Sequence, residues 1–146
     1  MKINLSTIVE QDYLSVKEGF NESLFKKLSP PFPPVKLLRF DGSSKGDMVS
    51  LELNFIFFKQ TWISEITEDN TDTKEFYFVD EGVKLPFFLG KWKHRHRIIK
   101  SNTGTEIKDE IEYEGPNPLM TALLYPALYL QFLYRKPIYK KIFRIK

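Results

Sequence analysis

Hydrophobic and polar positions follow two different rhythms along this chain. Over residues 2–10, Ile3, Leu5, Thr7 and Val9 alternate with Asn4, Ser6 and Ile8, and a period of two predicts a strand. The spacing then becomes helical through Tyr13, Leu14, Val16, Phe20, Leu24, Phe25 and Leu28. Gly19 interrupts it and Asn21 can cap, so two short helices are expected. Ser29-Pro30-Pro31-Phe32-Pro33-Pro34 stops any helix and reads as a stiff, polyproline-like connector. Strands follow over residues 35–40, 47–55, 57–67 and 72–80, with turns at Asp41-Gly42-Ser43-Ser44 and Glu68-Asp69-Asn70. Residues 82–90 (GVKLPFFLG) lack alternation and are expected to form a loop with apolar side chains, a short lip over a pocket. Residues 91–100 and 105–114 make a last hairpin around Ser101-Asn102-Thr103-Gly104.

The longest apolar segment comes last, over residues 117–143. Asn117 is a good N-cap and Pro118 suits the first helical turn. No charge occurs from Leu119 to Tyr134, which predicts a helix covered on most sides. A membrane span needs about 20 apolar residues. This run is shorter, contains Tyr125, Tyr129 and Gln131, and is interrupted by Pro126, so a helix gripped by a curved sheet is expected instead. Pro126 should kink it near Ala122, and Pro137 should end or bend it near residues 134–136. A bent helix over a concave sheet would leave a cavity between them.

The length of 146 residues suits one domain with a substantial core, and 15% aromatic content favours a bulky apolar interior. The absence of cysteine excludes disulfides, thiolate metal sites and a cysteine nucleophile. No secretory signal is visible at the N-terminus, so a cytoplasmic location is expected. The net charge of +3 comes from the C-terminal end, where six of the 22 basic residues (Arg135, Lys136, Lys140, Lys141, Arg144 and Lys146) follow Tyr134. That distribution gives no support to a nucleic-acid groove. The tail either complements the helix macrodipole or, together with Tyr139 and Phe143, serves as a weak membrane-surface contact or a partner-docking segment.

Polar chemistry concentrates in the last hairpin. A period of two puts Trp92, His94, His96 and Ile98 on one face, and Ile107, Asp109, Ile111 and Tyr113 on the matching face of the partner strand. A turn centred between Asn102 and Thr103 sets Ile98 beside Ile107, His96 beside Asp109, His94 beside Ile111 and Trp92 beside Tyr113. A His–Asp pair can fix a tautomer for general-base work, or satisfy two buried polar groups. His96 and Asp109 are therefore the catalytic candidates, with a structural or ligand-orienting role favoured. His94, His96 and Asp109 could supply three metal ligands, but i, i+2 histidines on a strand are common and no metal or cofactor is expected. Nucleophile-elbow, Walker A and dinucleotide-binding patterns are absent.

The tracts FVDE (residues 78–81), Pro86-Phe87, WKHRH (92–96), GTEIKDEIEY (104–113) and FLYR (132–135) resemble the helix-grip superfamily, in particular small bacterial ligand-binding (SRPBCC-type) proteins of the polyketide cyclase, START and Bet v 1 kind. The resemblance implies an α+β fold: a seven-stranded curved antiparallel sheet around a long C-terminal helix, with two short helices after the first strand. It further implies an apolar cavity that binds a lipid, polyketide or similar hydrophobic molecule, or cyclase/dehydratase-type activity. Trp62, Phe76, Phe78, Trp92, His94, His96, Asp109, Tyr113, Leu123, Leu124, Ala127 and Leu128 are the expected ligand-binding residues, with Leu130 on the same helix face. The stretch 82–90 is longer than the resemblance would have it.

Overall fold

A computed structural model describes residues 1–145. Lys146, counted above with the basic tail, lies outside the described residues. The elements are β1 (Lys2–Val9), α1 (Tyr13–Gly19), α2 (Glu22–Lys27), β2 (Val35–Phe40), β3 (Met48–Asn54), β4 (Lys59–Thr71), β5 (Glu75–Lys84), β6 (Lys91–Ser101), β7 (Gly104–Glu114) and α3 (Pro118–Ile142). All seven strands form one antiparallel sheet in the order β1-β7-β6-β5-β4-β3-β2. This is the α+β order that the sequence predicts.

Each helix starts where a polar side chain caps it. Asp12, Asn21 and Asn117 accept from the backbone N–H of Ser15, Leu24 and Met120 respectively. The β6–β7 hairpin has the predicted register, with Ile98 opposite Ile107, His96 opposite Asp109, His94 opposite Ile111 and Trp92 opposite Tyr113. Only that register buries both apolar sets together, because a slip of one residue would expose every inward side chain.

Three expectations are corrected. Glu68, Asp69 and Asn70 belong to β4 and pair with Val79, Phe78 and Tyr77, so the turn falls later, where Asp72 Oδ1 accepts from the backbone of Lys74 and Glu75. A register shift between Ile66 and Glu68 carries β4 past its polar residues at an exposed end of the strand. β5 likewise continues through Gly82 and Val83 to Lys84, which shortens the expected loop to the residues around Pro86. Finally, α3 does not end at Pro137: it continues through Pro126 and Pro137 to Ile142. Both prolines, and the residues Ala122 and Leu133 whose carbonyls lose a partner, lie on the exposed side, where solvent can bond those carbonyls.

α3 is also less covered than its composition suggests. Leu128, Phe132 and Tyr139 are buried, while Leu119, Leu123, Leu130 and Leu133 face outward. One sheet covers one side of a helix, and nothing among the described residues covers the other. Tyr139 and Phe143, expected on a membrane-facing tail, are instead in the core beside Phe20.

The core divides in two. One cluster gathers Val16, Leu24, Phe76, Phe78, Ile98, Ile107, Tyr139 and Phe143 near α1 and α2. The other gathers Ile3, Leu89, Trp92, Ile111, Tyr113, Leu128 and Phe132 toward the start of α3. Along β6 the polar pair His94 and His96 separates Trp92 of one cluster from Ile98 of the other. Along β7, Asp109 separates Ile107 from Ile111 in the same way.

Candidate functional site

A cavity of about 510 Å³ opens between the sheet, α2 and α3. Its walls are mostly apolar, with a small polar group formed by Asp80, His94, His96, Ser64, Gln131 and Arg135. Of the residues expected to bind a ligand, Trp62, Phe78, Trp92, His94, His96, Leu124, Ala127 and Leu128 line it.

Phe76, Asp109, Tyr113 and Leu123 do not line it, nor does Leu130. Phe76 is in the α1–α2 core cluster, and Tyr113 is in the opposite one, where its hydroxyl donates to the Thr121 carbonyl at 2.7 Å. Leu123 and Leu130 are each 62% exposed on the outer face of α3. Asp109 is buried behind the imidazoles.

Sequence reasoning missed the far wall, which Leu24, Phe25, Leu28, Val49, Leu51 and Leu53 build. The alternation Val49, Leu51, Leu53 carried the signal, but nothing in the sequence showed that the sheet curls enough to bring β3 across from α3. Phe32, Phe55, Phe87 and Phe88 also line the cavity and form a connected aromatic group, with ring centroids 5.3–6.4 Å apart for the pairs Phe32–Phe55, Phe55–Phe88 and Phe87–Phe88. Phe57, at the β3–β4 connection next to this group, is 93% exposed. Asp80 is the most consequential omission. Its position two residues after Phe78 already put it on the inward face.

Asp80, His94 and His96 of this group form a closed ring with Asp109 behind them, two imidazoles and two carboxylates. His94 Nε2 lies 2.8 Å from Asp109 Oδ1, and His96 Nε2 lies 3.0 Å from Asp80 Oδ2. The remaining two sides of the ring, His94 Nδ1 to Asp80 Oδ2 and His96 Nδ1 to Asp109 Oδ1, are both 3.7 Å. His96 was expected to pair with Asp109, its direct cross-strand neighbour. The hydrogen bonds instead run diagonally, because these side chains lean along the strands far enough to reach the next inward residue. Trp92 Nε1–H donates to Asp80 Oδ1 at 3.0 Å, and Phe78 stacks on the His96 ring at 4.3 Å between centroids.

Burial, followed by the proximity of His94, pushes the His96 pKa from 6.5 down to about 4, against the pull of Asp80 and Asp109. Burial opposes ionisation of Asp80, but the hydrogen bond from His96, the nearby imidazoles and the Trp92 indole outweigh it and hold the carboxyl below its ordinary value. Asp109 is held down in the same way, with burial outweighed by its bond to His94 and the positive charge of Arg135. The site therefore presents a neutral imidazole at His96 together with two carboxylates that favour ionisation, a combination suited to accepting protons, orienting a polar group or holding a cation.

No family model matches the chain. A stretch of 81 residues is 30% identical to serpin A11 of Rattus norvegicus, and the match covers 56% of this chain. The chain spans about a fifth of the length of that curated relative, 19%, and the match carries no family assignment. Similarity to solved structures is extensive at the level of fold. Protein CV1439 from Chromobacterium violaceum superposes with a TM-score of 0.73 at 13% identity, covering 99% of this chain and 98% of that one. A START superfamily protein from Mycobacterium smegmatis gives 0.65 at 10% identity, over 97% and 98% of the two chains. The ZhuI aromatase/cyclase from Streptomyces sp. R1128 gives 0.62 at 12% identity, over 94% and 89%. The chain thus has the helix-grip fold of START, Bet v 1-like and aromatase/cyclase proteins.

Proposed function

We propose that the protein binds a hydrophobic small molecule, a lipid, polyketide or similar compound, in the cavity between the sheet and α3. The observation that carries this reading is the cavity itself. Its volume of about 510 Å³ is walled mainly by apolar side chains and includes a few convergent polar groups, the usual make-up of a small-molecule site. Trp62, Phe78, Trp92, Leu124 and Leu128 supply apolar contact, while His94, His96 and Asp80 orient a polar end. The chain acts as one such domain in the cytoplasm, with no nucleic-acid partner. Among the described residues no helix is long and apolar enough to cross a membrane. With Tyr139 and Phe143 buried, any membrane contact of the tail rests on its exposed residues, Lys140, Lys141, Arg144 and Ile145.

Native mass spectrometry of gently purified protein, together with titration of a fluorescent apolar probe, tests this reading. A co-purified hydrophobic mass or saturable uptake at one site per chain supports it. Absence of both overturns it.

One observation favours a second reading, cyclase/dehydratase-type catalysis: a neutral imidazole at His96 sits at the cavity wall on a carboxylate. Asp80, rather than Asp109, is then the residue that orients it. If His96→Gln removed turnover of a polyketide-like substrate while probe uptake persisted, catalysis would be established.

A further inference from the structure

Asp80, His94 and His96 place one ligating atom each within 4.8 Å of one another, and all three line the cavity. A carboxylate oxygen only accepts, so an imidazole nitrogen at hydrogen-bond distance from one carries the proton. His94 Nε2–H thus donates to Asp109, and His96 Nε2–H donates to Asp80. In neutral rings both Nδ1 atoms are then bare. A neutral His94 ring turns its Nδ1 lone pair toward Asp80 Oδ2 across 3.7 Å. His96 Nδ1 is buried without a hydrogen-bond partner among the described residues, 3.7 Å from Asp109 Oδ1. One cation would resolve both faults.

We propose that Asp80 Oδ2, His94 Nδ1 and His96 Nε2 bind a divalent first-row transition metal of the zinc type, with Asp109 accepting from both histidines behind the metal. Binding moves the His96 proton from Nε2 to Nδ1, with no net proton lost. The freed Nε2 lone pair faces the metal, and Nδ1–H gains Asp109 Oδ1 once the 3.7 Å separation shortens. His94 needs no tautomer change, because its Nε2–H already donates to Asp109 at 2.8 Å. Metal-bound histidines characteristically donate their second nitrogen to such a carboxylate, which fixes the ring and raises its basicity.

The first coordination shell is prepared as well. Trp92 Nε1–H occupies Asp80 Oδ1, so Oδ2 is the oxygen turned toward the histidines. Two nitrogens and one carboxylate oxygen match zinc and its neighbours and leave a fourth position open. Calcium and magnesium, which take six or more ligands that are mostly oxygens, are not matched. The open position faces the cavity, where it would meet an oxygen of a bound molecule. The sequence argues against a metal because paired histidines on a strand are common, and it offers Asp109 as the third ligand. The structure puts Asp80 from β5 in that place and moves Asp109 behind. The proposal stands on this cluster and does not require the occupant of the cavity to be hydrophobic.

His94 and His96 are the only histidines of the chain, so imidazole ¹⁵N shifts of the tag-free chain report this site without any substitution. After EDTA treatment and dialysis, ZnCl₂ is titrated by calorimetry and by NMR. The expected result is one equivalent bound, with His94 Nδ1 and His96 Nε2 shifting as metal-bound nitrogens while the other nitrogen of each ring stays protonated. Asp80→Asn should weaken zinc by about 100-fold or more, and Asp109→Asn by about 10- to 100-fold. No heat and no ¹⁵N change in the wild-type protein would overturn the proposal. So would an imidazolium at His94, protonated on both nitrogens and indifferent to zinc, or an Asp80→Asn protein that binds zinc as the wild type does. Uptake of an apolar probe by the same samples reports the cavity separately, so failure of the metal site and failure of the hydrophobic-ligand reading give different results.

Discussion

His94 hydrogen-bonds Asp109 at 2.8 Å although the residue directly opposite it on β7 is Ile111. His96, which is directly opposite Asp109, bonds Asp80 on the other neighbouring strand. This diagonal exchange ties β5, β6 and β7 together through buried polar groups at the junction of the two halves of the core. A network of this kind is stabilising only while each member keeps its charge state and partner, which makes the fold sensitive to acid.

The pH dependence follows from His96. Its folded pKa of about 4 lies below the unfolded value of 6.5, so the unfolded chain takes up the proton first and protonation favours unfolding. The contribution is complete above about pH 6.5 and is lost as the pH falls through about 4; the gap is worth about 3 kcal/mol. Asp80 and Asp109, both held below the ordinary carboxyl value, add their own loss at still lower pH. Urea midpoints of the metal-free protein should therefore fall steadily from pH 7 to pH 4, and His96→Gln should flatten that slope. A wild-type midpoint that does not change over this range would refute the assignment.

Phe132 links the helix to this network. Its ring meets His94 edge-on at 5.1 Å and Trp92 at 6.0 Å, and the Arg135 guanidinium lies 4.4 Å from its centre. Phe132→Ala would remove a ring that is 4% exposed and leave a void continuous with the cavity, at a cost of about 3 kcal/mol. Denaturant unfolding checks the value. A loss under about 1 kcal/mol would mean that α3 can settle onto the sheet without this ring.

How far the sequence reveals the molecule depends on the range of the forces involved. Strand alternation and capping are local, so β1, the β6–β7 register and the start of α3 at Asn117 could be read directly. Asp69 and Asn70 misled because turn propensity is local too, whereas the length of β4 is set by pairing with β5. Leu123 and Leu130 misled because an uncharged segment does not say which of its sides meets the sheet. The histidines and Asp109 could be placed on one face. Their actual partners depended on side-chain lean and on Asp80 from a third strand.

Gly104 closes the β6–β7 hairpin at φ +148°, and a Cβ there would collide with the Val9 carbonyl oxygen. The obstacle is backbone of β1, which cannot retreat without breaking its ladder with β7. Gly104→Ala should thus cost about 3 kcal/mol, combining the backbone conformation with the clash. The thermal midpoint should drop markedly. Gly46→Ala, with φ +94° and nothing within 4 Å, isolates the conformational part and should cost less. Equal losses for the two variants would show that β1 yields.

Val49 allows the cavity to be filled without disturbing the histidine ring. It lies on β3, is 8% exposed and lines the cavity, yet it is not among the residues that bond His94, His96, Asp80 or Asp109. Val49→Phe directs a ring into open volume instead of packed side chains, so the usual overpacking cost of about 1–3 kcal/mol should be largely avoided. Uptake of an apolar probe should fall about tenfold or more, because a ring occupies much of the apolar space a ligand would use. Zinc binding at Asp80, His94 and His96, which are separated from Val49 by β4, should stay within about twofold of the wild type, since no ligand atom is touched. Probe affinity unchanged in a folded Val49→Phe protein would place the hydrophobic site elsewhere on the molecule.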